Sequence, residues 1–174
     1  MNDRWYYAVV QIIDAGPKHL SEIAAIYAAE VETSTATFDL EVPRLEHWER
    51  ALACVNPTAG HLLIVGLDDD GTVLGYAKSG PFRDRAAYDT TCETSIYVAE
   101  HARGNGVGRA LYGRLIELLQ ASEARLAVGG MTEPNPASAA LHESLGFTLV
   151  GTFEGVGVKF GEAWDVTWFQ RPLT

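Results

Sequence analysis

The chain has 174 residues, 47% of them apolar, and carries 13 Lys and Arg against 23 Asp and Glu for a formal net charge of -10. That length suits one domain, residues 1–174, with a proper core, and the negative charge argues against nucleic acid or an anionic membrane surface as partner, because either would repel it at long range. Two cysteines without paired spacing, Cys54 and Cys92, make neither a disulfide framework nor a zinc site; with no basic-then-apolar leader and no window near the ~20 apolar residues of a membrane span, the expectation is a cytoplasmic protein.

In chain order, Tyr6 to Ile13 reads as an extended apolar strand closed by Asp14-Ala15-Gly16-Pro17. Leu20, Ile23, Ala24, Tyr27 and Val31 then recur at helical spacing. The polar run Glu32 to Thr37 leaves that helix as a loop, since its hydroxyls compete for the backbone. Pro43 opens a second helix with Leu45, Trp48, Leu52 and Val55 on one face, ending near Asn56-Pro57. Leu62 to Leu67 and Thr72 to Ala77 form a hairpin around Asp68-Asp69-Asp70-Gly71. Lys78, Arg83 and Arg85 make a short cationic stretch before Tyr88, unusual in so acidic a chain.

A β-branched strand at Glu93 to Val98 follows, then Arg103-Gly104-Asn105-Gly106-Val107-Gly108-Arg109. Next is a helix whose apolar face carries Val107, Leu111, Leu115, Leu118 and Leu119. A strand, a glycine turn and a helix N-terminus make an anion site: glycines admit a close approach and the amides of the first turn have no intrahelical partner. The expected guest is a phosphate. Counting from Gly104, a dinucleotide fingerprint fails because its sixth position is Arg109, and no Gly-Lys followed by Ser or Thr offers an NTPase loop. Leu126 to Val128 reads as a short strand, Pro136 to Leu145 as a short helix, and Thr148 to Phe153 and Ala163 to Gln170 as closing antiparallel strands, with Gly155, Gly157 and Gly161 bending the chain between them. No repeats or low-complexity tracts are present.

The remaining pattern, Arg103, Gly106 and Gly108 as R-x-x-G-x-G, resembles the pyrophosphate loop of the acetyl-CoA-dependent N-acetyltransferases called GNAT. Gly129-Gly130-Met131, Pro134-Asn135-Pro136-Ala137-Ser138, Leu141-His142-Glu143 and Gly146-Phe147 extend the likeness downstream. More narrowly, the chain resembles the phosphinothricin and methionine sulfone or sulfoximine acetyltransferase family. Further matches are Ile26-Tyr27, Glu32 to Phe38, Gly80-Pro81-Phe82-Arg83, Ala87-Tyr88, Glu93, Lys159-Phe160-Gly161, Asp165 and Gln170. It departs from these relatives at Val158, where they usually carry Tyr, and at Trp164, whose counterpart stands one position earlier; acceptor preference is expected to depend on whether Trp164 reaches the site.

The resemblance implies an α/β (α+β) GNAT fold, a mixed, mostly antiparallel sheet of about seven strands flanked by helices and splayed between the fourth and fifth. Acetyl-CoA would enter that gap, held by the backbone of Ile96, Tyr97 and Val98, by the loop residues Arg103, Gly104, Asn105, Gly106, Val107, Gly108 and Arg109, and by Asn135 and Ser138. The acceptor would be a small amino-acid-like amine such as phosphinothricin, methionine sulfoximine or methionine sulfone. Phe38, Arg83, Arg85, Tyr88, Glu93, Thr94 and Ser95 would contact it, the arginines gripping an acidic head through paired donors. An α-amine is mostly protonated near neutral pH, so a base must remove a proton before it attacks a thioester; Glu93 takes that role, directly or through water. His142, four residues before Gly146, would give a proton to the departing thiolate or orient substrate. The Val98 or Tyr97 amide would hold the developing oxyanion, no metal takes part, and the enzyme would be a homodimer. Other readings are acetylation of another small amine or a protein N-terminus, or a non-catalytic acyl-CoA sensor.

Overall fold

The computed structural model describes residues 10–173. Eleven main elements follow in order: β1 Gln11–Asp14, α1 Leu20–Thr33, α2 Leu45–Ala53, β2 Leu62–Leu67, β3 Val73–Pro81, β4 Thr91–Val98, α3 Val107–Gln120, β5 Leu126–Thr132, α4 Pro136–Ser144, β6 Thr148–Lys159 and β7 Glu162–Pro172. One seven-stranded sheet runs β1-β2-β3-β4-β5-β7-β6, with β4 and β5 parallel and every other neighbour antiparallel. This is the expected mixed, mostly antiparallel sheet. No helix among the described residues is long and apolar enough to cross a membrane.

Two apolar clusters lie on opposite faces of the sheet. Strand alternation sends Leu63, Val65 and Tyr76 to one face, where they meet Leu20, Ile23, Tyr27 and Val31 of α1 and Trp48 of α2. Leu62, Ile64, Ala77 and Cys92 point to the other, against Val107, Leu111, Tyr112, Leu115, Ile116 and Leu119 of α3. Each fully buried Leu or Ile in these layers contributes about 2 kcal/mol through the apolar surface it removes from water. The two cores fix the strands from above and below, so the sheet can open locally between β4 and β5 without coming apart.

The opening has a definite start. β4 pairs with β5 at Thr91↔Leu126, Cys92↔Ala127 and Glu93↔Val128 and no further. Beyond that point β4 stays with β3 up to Val98↔Gly75, while β5 stays with β7 up to Thr132↔Val166. Two strand edges therefore diverge, and beyond Glu93 and Val128 their inner backbone groups have no cross-strand partner.

Several boundaries differ from the sequence expectation. The first strand is described from Gln11, and Tyr6 to Val9 lie outside the described residues. α1 keeps Glu32 and Thr33, because Thr33 bonds the Ala29 carbonyl at 2.6 Å and Ser34 terminates the helix at Glu30. β5 runs through Gly129 and Gly130 to Thr132, since β7 pairs with every residue of that stretch. β6 extends to Lys159 instead of stopping at Phe153; Gly155 and Gly157 lie in a bulged strand, and the turn falls at Phe160 and Gly161.

Candidate active site

The glycine turn meets the requirements of an anion cradle. Gly106 precedes α3 at φ 80°, in the left-handed region, and no side chain caps the helix. The first intrahelical bond runs from the Ala110 amide to the Gly106 carbonyl at 3.0 Å, leaving the amides of Val107, Gly108 and Arg109 ahead of it. No acidic residue stands in the first turn to repel a phosphate. Gly104, Asn105 and Arg109 are exposed on the same turn.

Arg103 does something other than the motif suggests. Its guanidinium donates to the carboxylate of Glu30 on α1, and its Nε donates to the Val98 carbonyl at 3.1 Å. Glu30 is 7% exposed and also accepts from the Ser34 hydroxyl. Arg103 thus ties the glycine turn to the end of β4 and to α1.

A cleft of about 220 Å³ occupies the gap between β4 and β5, with Ser95, Ile96, Gly108, Tyr112, Ser138 and His142 among its walls. Backbone alternation decides which β4 groups face it. The Ala99 amide bonds Leu74 on the β3 side at 2.9 Å, so the backbone of Tyr97 faces β3 as well, and that of Ile96 and Val98 faces the gap. Of the two amides named for an oxyanion, Val98 is the one so turned. The Tyr97 side chain lies over Tyr27 and Tyr76 instead, its hydroxyl 3.4 Å from the Ala36 carbonyl.

On the far wall stands a hydrogen-bonded chain. Thr94 donates to the Val128 carbonyl at 2.9 Å, where the β4–β5 ladder ends, and its hydroxyl lies 2.7 Å from Tyr112 Oη. Tyr112 Oη is 3.2 Å from His142 Nε2, and His142 Nδ1 is 2.8 Å from the Ser138 carbonyl, which can only accept. The bonding therefore assigns a proton to Nδ1. Four contacts require four hydrogens, whereas Thr94, Tyr112 and a neutral imidazole supply three; a proton added at Nε2 completes the set. Burial of His142 opposes this by lowering its pKa, and the bond to Ser138 raises it. The imidazole is accordingly neutral near pH 7 with a place prepared for a proton. Asn135 Oδ1 accepts the Ser138 amide at 3.0 Å and caps α4, which aims this wall.

Gly129 makes the arrangement possible. A Cβ there would stand 2.6 Å from His142 Nε2 and 3.1 Å from Tyr112 Oη. Thr94, expected against the acceptor, is instead 4% exposed and belongs to this chain.

Glu93 points to the other face of β4, opposite Gly80 of β3. It lines a cavity of about 680 Å³ together with Lys78, Ser95, His61 and Val55. A Cβ on Gly80 would meet nothing within 4 Å, so there is open room beside the carboxylate. Burial raises the Glu93 pKa, while the charges of Arg83 and Lys78 pull it down. Ser95 borders both the cleft and the cavity, and it marks where the two recesses meet.

The cationic stretch divides. Arg83 lies 4.4 Å over the Phe82 ring and lines a trough with Tyr88, Val128 and Trp168. Arg85 is exposed, its carbonyl accepting the Tyr88 amide at 2.8 Å, and it lines neither trough nor cavity. Phe38 packs on Gly157, where an added Cβ would fall 2.2 Å from its ring, so it braces β6. Trp164 donates to the Lys159 carbonyl at 3.0 Å and holds the β6–β7 turn, and Val158 is exposed. Sequence reasoning missed Tyr112, whose position next to Leu111 reads only as core, and gave Lys78 no role at Glu93. Alternation along β3 from Tyr76 to Gly80 is the signal that finds it.

Comparison with known proteins fits this geometry. The model of the acetyltransferase (GNAT) domain matches residues 14–168. Phosphinothricin N-acetyltransferase of Streptomyces coelicolor is 40% identical over 95% of this chain and 98% of its own. The L-methionine sulfoximine/L-methionine sulfone acetyltransferase of Pseudomonas paraeruginosa is 36% identical over 93% and 94%. Among solved structures, a GNAT superfamily phosphinothricin acetyltransferase from Sinorhizobium meliloti in complex with AcCoA superposes with TM-score 0.89 at 34% identity, over 94% of this chain and 88% of that one.

Proposed function

The chain belongs to the acetyltransferase (GNAT) family, and from that premise we propose that it transfers an acetyl group from acetyl-CoA to the α-amine of a small acidic or sulfone-bearing amino acid, of the phosphinothricin, methionine sulfoximine or methionine sulfone kind. The observation that carries the reading is the meeting of two recesses at Ser95, one bordered by an uncapped helix N-terminus and the other by a half-buried carboxylate.

The diphosphate of coenzyme A fits the free amides of Val107, Gly108 and Arg109, and the pantetheine arm fits the open edge of β4 at the Ile96 backbone and the Val98 amide. When bound, the co-substrate supplies an activated acyl carbon. Glu93 takes a proton from the ammonium of the acceptor in the cavity, and the open space at Gly80 admits the amine beside it. The Val98 amide faces the carbonyl oxygen as negative charge builds there. The departing sulfur takes its proton from the Tyr112 hydroxyl, which is re-protonated from solvent after thiol release, and the neutral His142, its Nδ1 proton held by the Ser138 carbonyl, orients that hydroxyl from 3.2 Å. Arg83 at the trough grips the acceptor's acidic head, with Tyr88 beside it. Thiol release from acetyl-CoA across a panel of amino-acid analogues tests this; release should require an added amine, and its absence with every amine would leave an acyl-CoA sensor.

Gly129→Ala is expected to displace His142 and lower kcat about tenfold or more, within the range for loss of general acid help, with little change in the acceptor's KM. Gly130→Ala, whose Cβ would meet Trp168 at 3.4 Å, should be far milder. Equal effects in steady-state kinetics would remove the role given to His142.

We also propose a homodimer. Edge strand β6 exposes Leu149, Val156 and Val158 outside the trough, apolar side chains that a second copy would cover. Light scattering should give a two-copy mass for the native chain and one copy for the Val156→Asp, Val158→Asp double variant.

A further inference from the structure

Lys78 is a half-buried cation inside the Glu93 cavity that the chemistry above gives no ligand. It sits on β3 directly opposite Ser95, one step along the same face from the Gly80–Glu93 pair, so the two side chains start roughly 7 Å apart along the strand. It lines the Glu93 cavity. Its ammonium lies 5.9 Å from the centre of the Trp48 ring, a contact that steadies the stem but does not neutralise a charge. Among the described residues, ion pairs join only Arg103 to Glu30 and Arg114 to Glu117. Asp39, whose charge acts on Lys78, accepts the Tyr27 hydroxyl at 2.8 Å and stays outside ion-pair distance. Burial pulls the Lys78 pKa down, with Asp39 and Glu93 opposing. A half-buried cation that lines a cavity and has no ion-pair partner is placed to take an anion that arrives with the ligand.

We propose that Lys78 is a specificity-determining residue that binds the free carboxylate of the acceptor amino acid, at the floor of the cavity where Glu93 receives the amine. This rests on the reading that Glu93 faces an amine. It assigns the two ends of a dianionic acceptor to two cations: the α-carboxylate to Lys78 and the distal acidic head to Arg83, which flank Glu93 from the cavity and from the trough. Amino-acid esters and amides, which lack the anion, would leave Lys78 uncompensated and be poor acceptors.

The test compares methionine sulfone with its methyl ester in the native chain and in Lys78→Met, which keeps the unbranched stem against Trp48. The native chain should prefer the free acid by about 10-fold to 100-fold in kcat/KM, the range for losing one charge-assisted hydrogen bond. Lys78→Met should abolish that preference, chiefly by raising the KM of the acid, with the KM of acetyl-CoA unchanged. An unaltered acid-to-ester ratio in Lys78→Met, or a ratio lost instead in Arg83→Ala, would overturn the assignment. If no α-amino acid releases thiol, the proposed function fails separately, and calorimetric binding of glutarate then decides Lys78: weaker binding in Lys78→Met supports it, and equal binding rejects it.

Discussion

Glu93→Gln is expected to lower kcat/KM about 10²-fold to 10³-fold, the scale of losing a positioned general base, while leaving acetyl-CoA binding intact. Glutamine keeps the size and a hydrogen-bonding end, so the β4 register and the cavity at Gly80 survive. The loss falls on proton removal alone. The pH profile carries a second signature. Burial raises the Glu93 pKa above the ordinary carboxylate value, with Arg83 and Lys78 holding it back. The base works only when ionised, so native kcat/KM should climb with pH through a limb lying above that ordinary value. In Glu93→Gln the limb should vanish, and the residual rate should follow the acceptor's own deprotonation toward alkaline pH. Lys78→Met removes one of the two restraints and should move the native limb upward. A full-rate Glu93→Gln enzyme with an unchanged profile would assign the base elsewhere.

Gly106→Val should raise the KM of acetyl-CoA about 10-fold to 100-fold and leave the acceptor's KM nearly unchanged. The cause is torsional. Gly106 sits at φ 80°, a conformation that costs a β-branched residue roughly 1–3 kcal/mol, whereas a Cβ there would meet nothing within 4 Å. With no steric collision the chain still folds, and the turn relaxes by re-aiming the amides of Val107 and Gly108. The strain also lowers the melting temperature by several degrees in the apo protein. Asp69→Ala, on the exposed turn between β2 and β3, is the control and should change neither constant appreciably.

The elements were legible wherever one periodicity ran unbroken. α3 shows its apolar stripe at Val107, Leu111, Leu115 and Leu119, and all four are buried. The β2–β3 hairpin shows its acidic turn, in which Asp68 Oδ1 accepts the amides of Asp70 and Thr72. β5 hid its second half because Gly129 and Gly130 carry no side chains to mark a period, and only pairing with β7 reveals it. β6 hid its length for a related reason, since bulges at its glycines break the alternation.

The candidate site divides along the same line. Local features, such as the glycine turn and the Asn135 cap, can be read from neighbouring residues. Long-range ones cannot: Arg103 finds Glu30, which is 73 positions away, and Thr94 reaches His142 through Tyr112. Arg83 and Arg85 are both exposed and read alike in the sequence, and only Arg83 lines the trough beside Trp168, a residue 85 positions away.

A crystal structure with acetyl-CoA bound is the most direct measurement. Diphosphate oxygens are expected on the amides of Val107, Gly108 and Arg109, the pantetheine between β4 and β5, the acetyl carbonyl oxygen at the Val98 amide, and the acetyl carbon turned toward the junction of the two recesses at Ser95. A nucleotide seated away from the α3 N-terminus, or an acetyl group remote from Ser95 and Glu93, would contradict it.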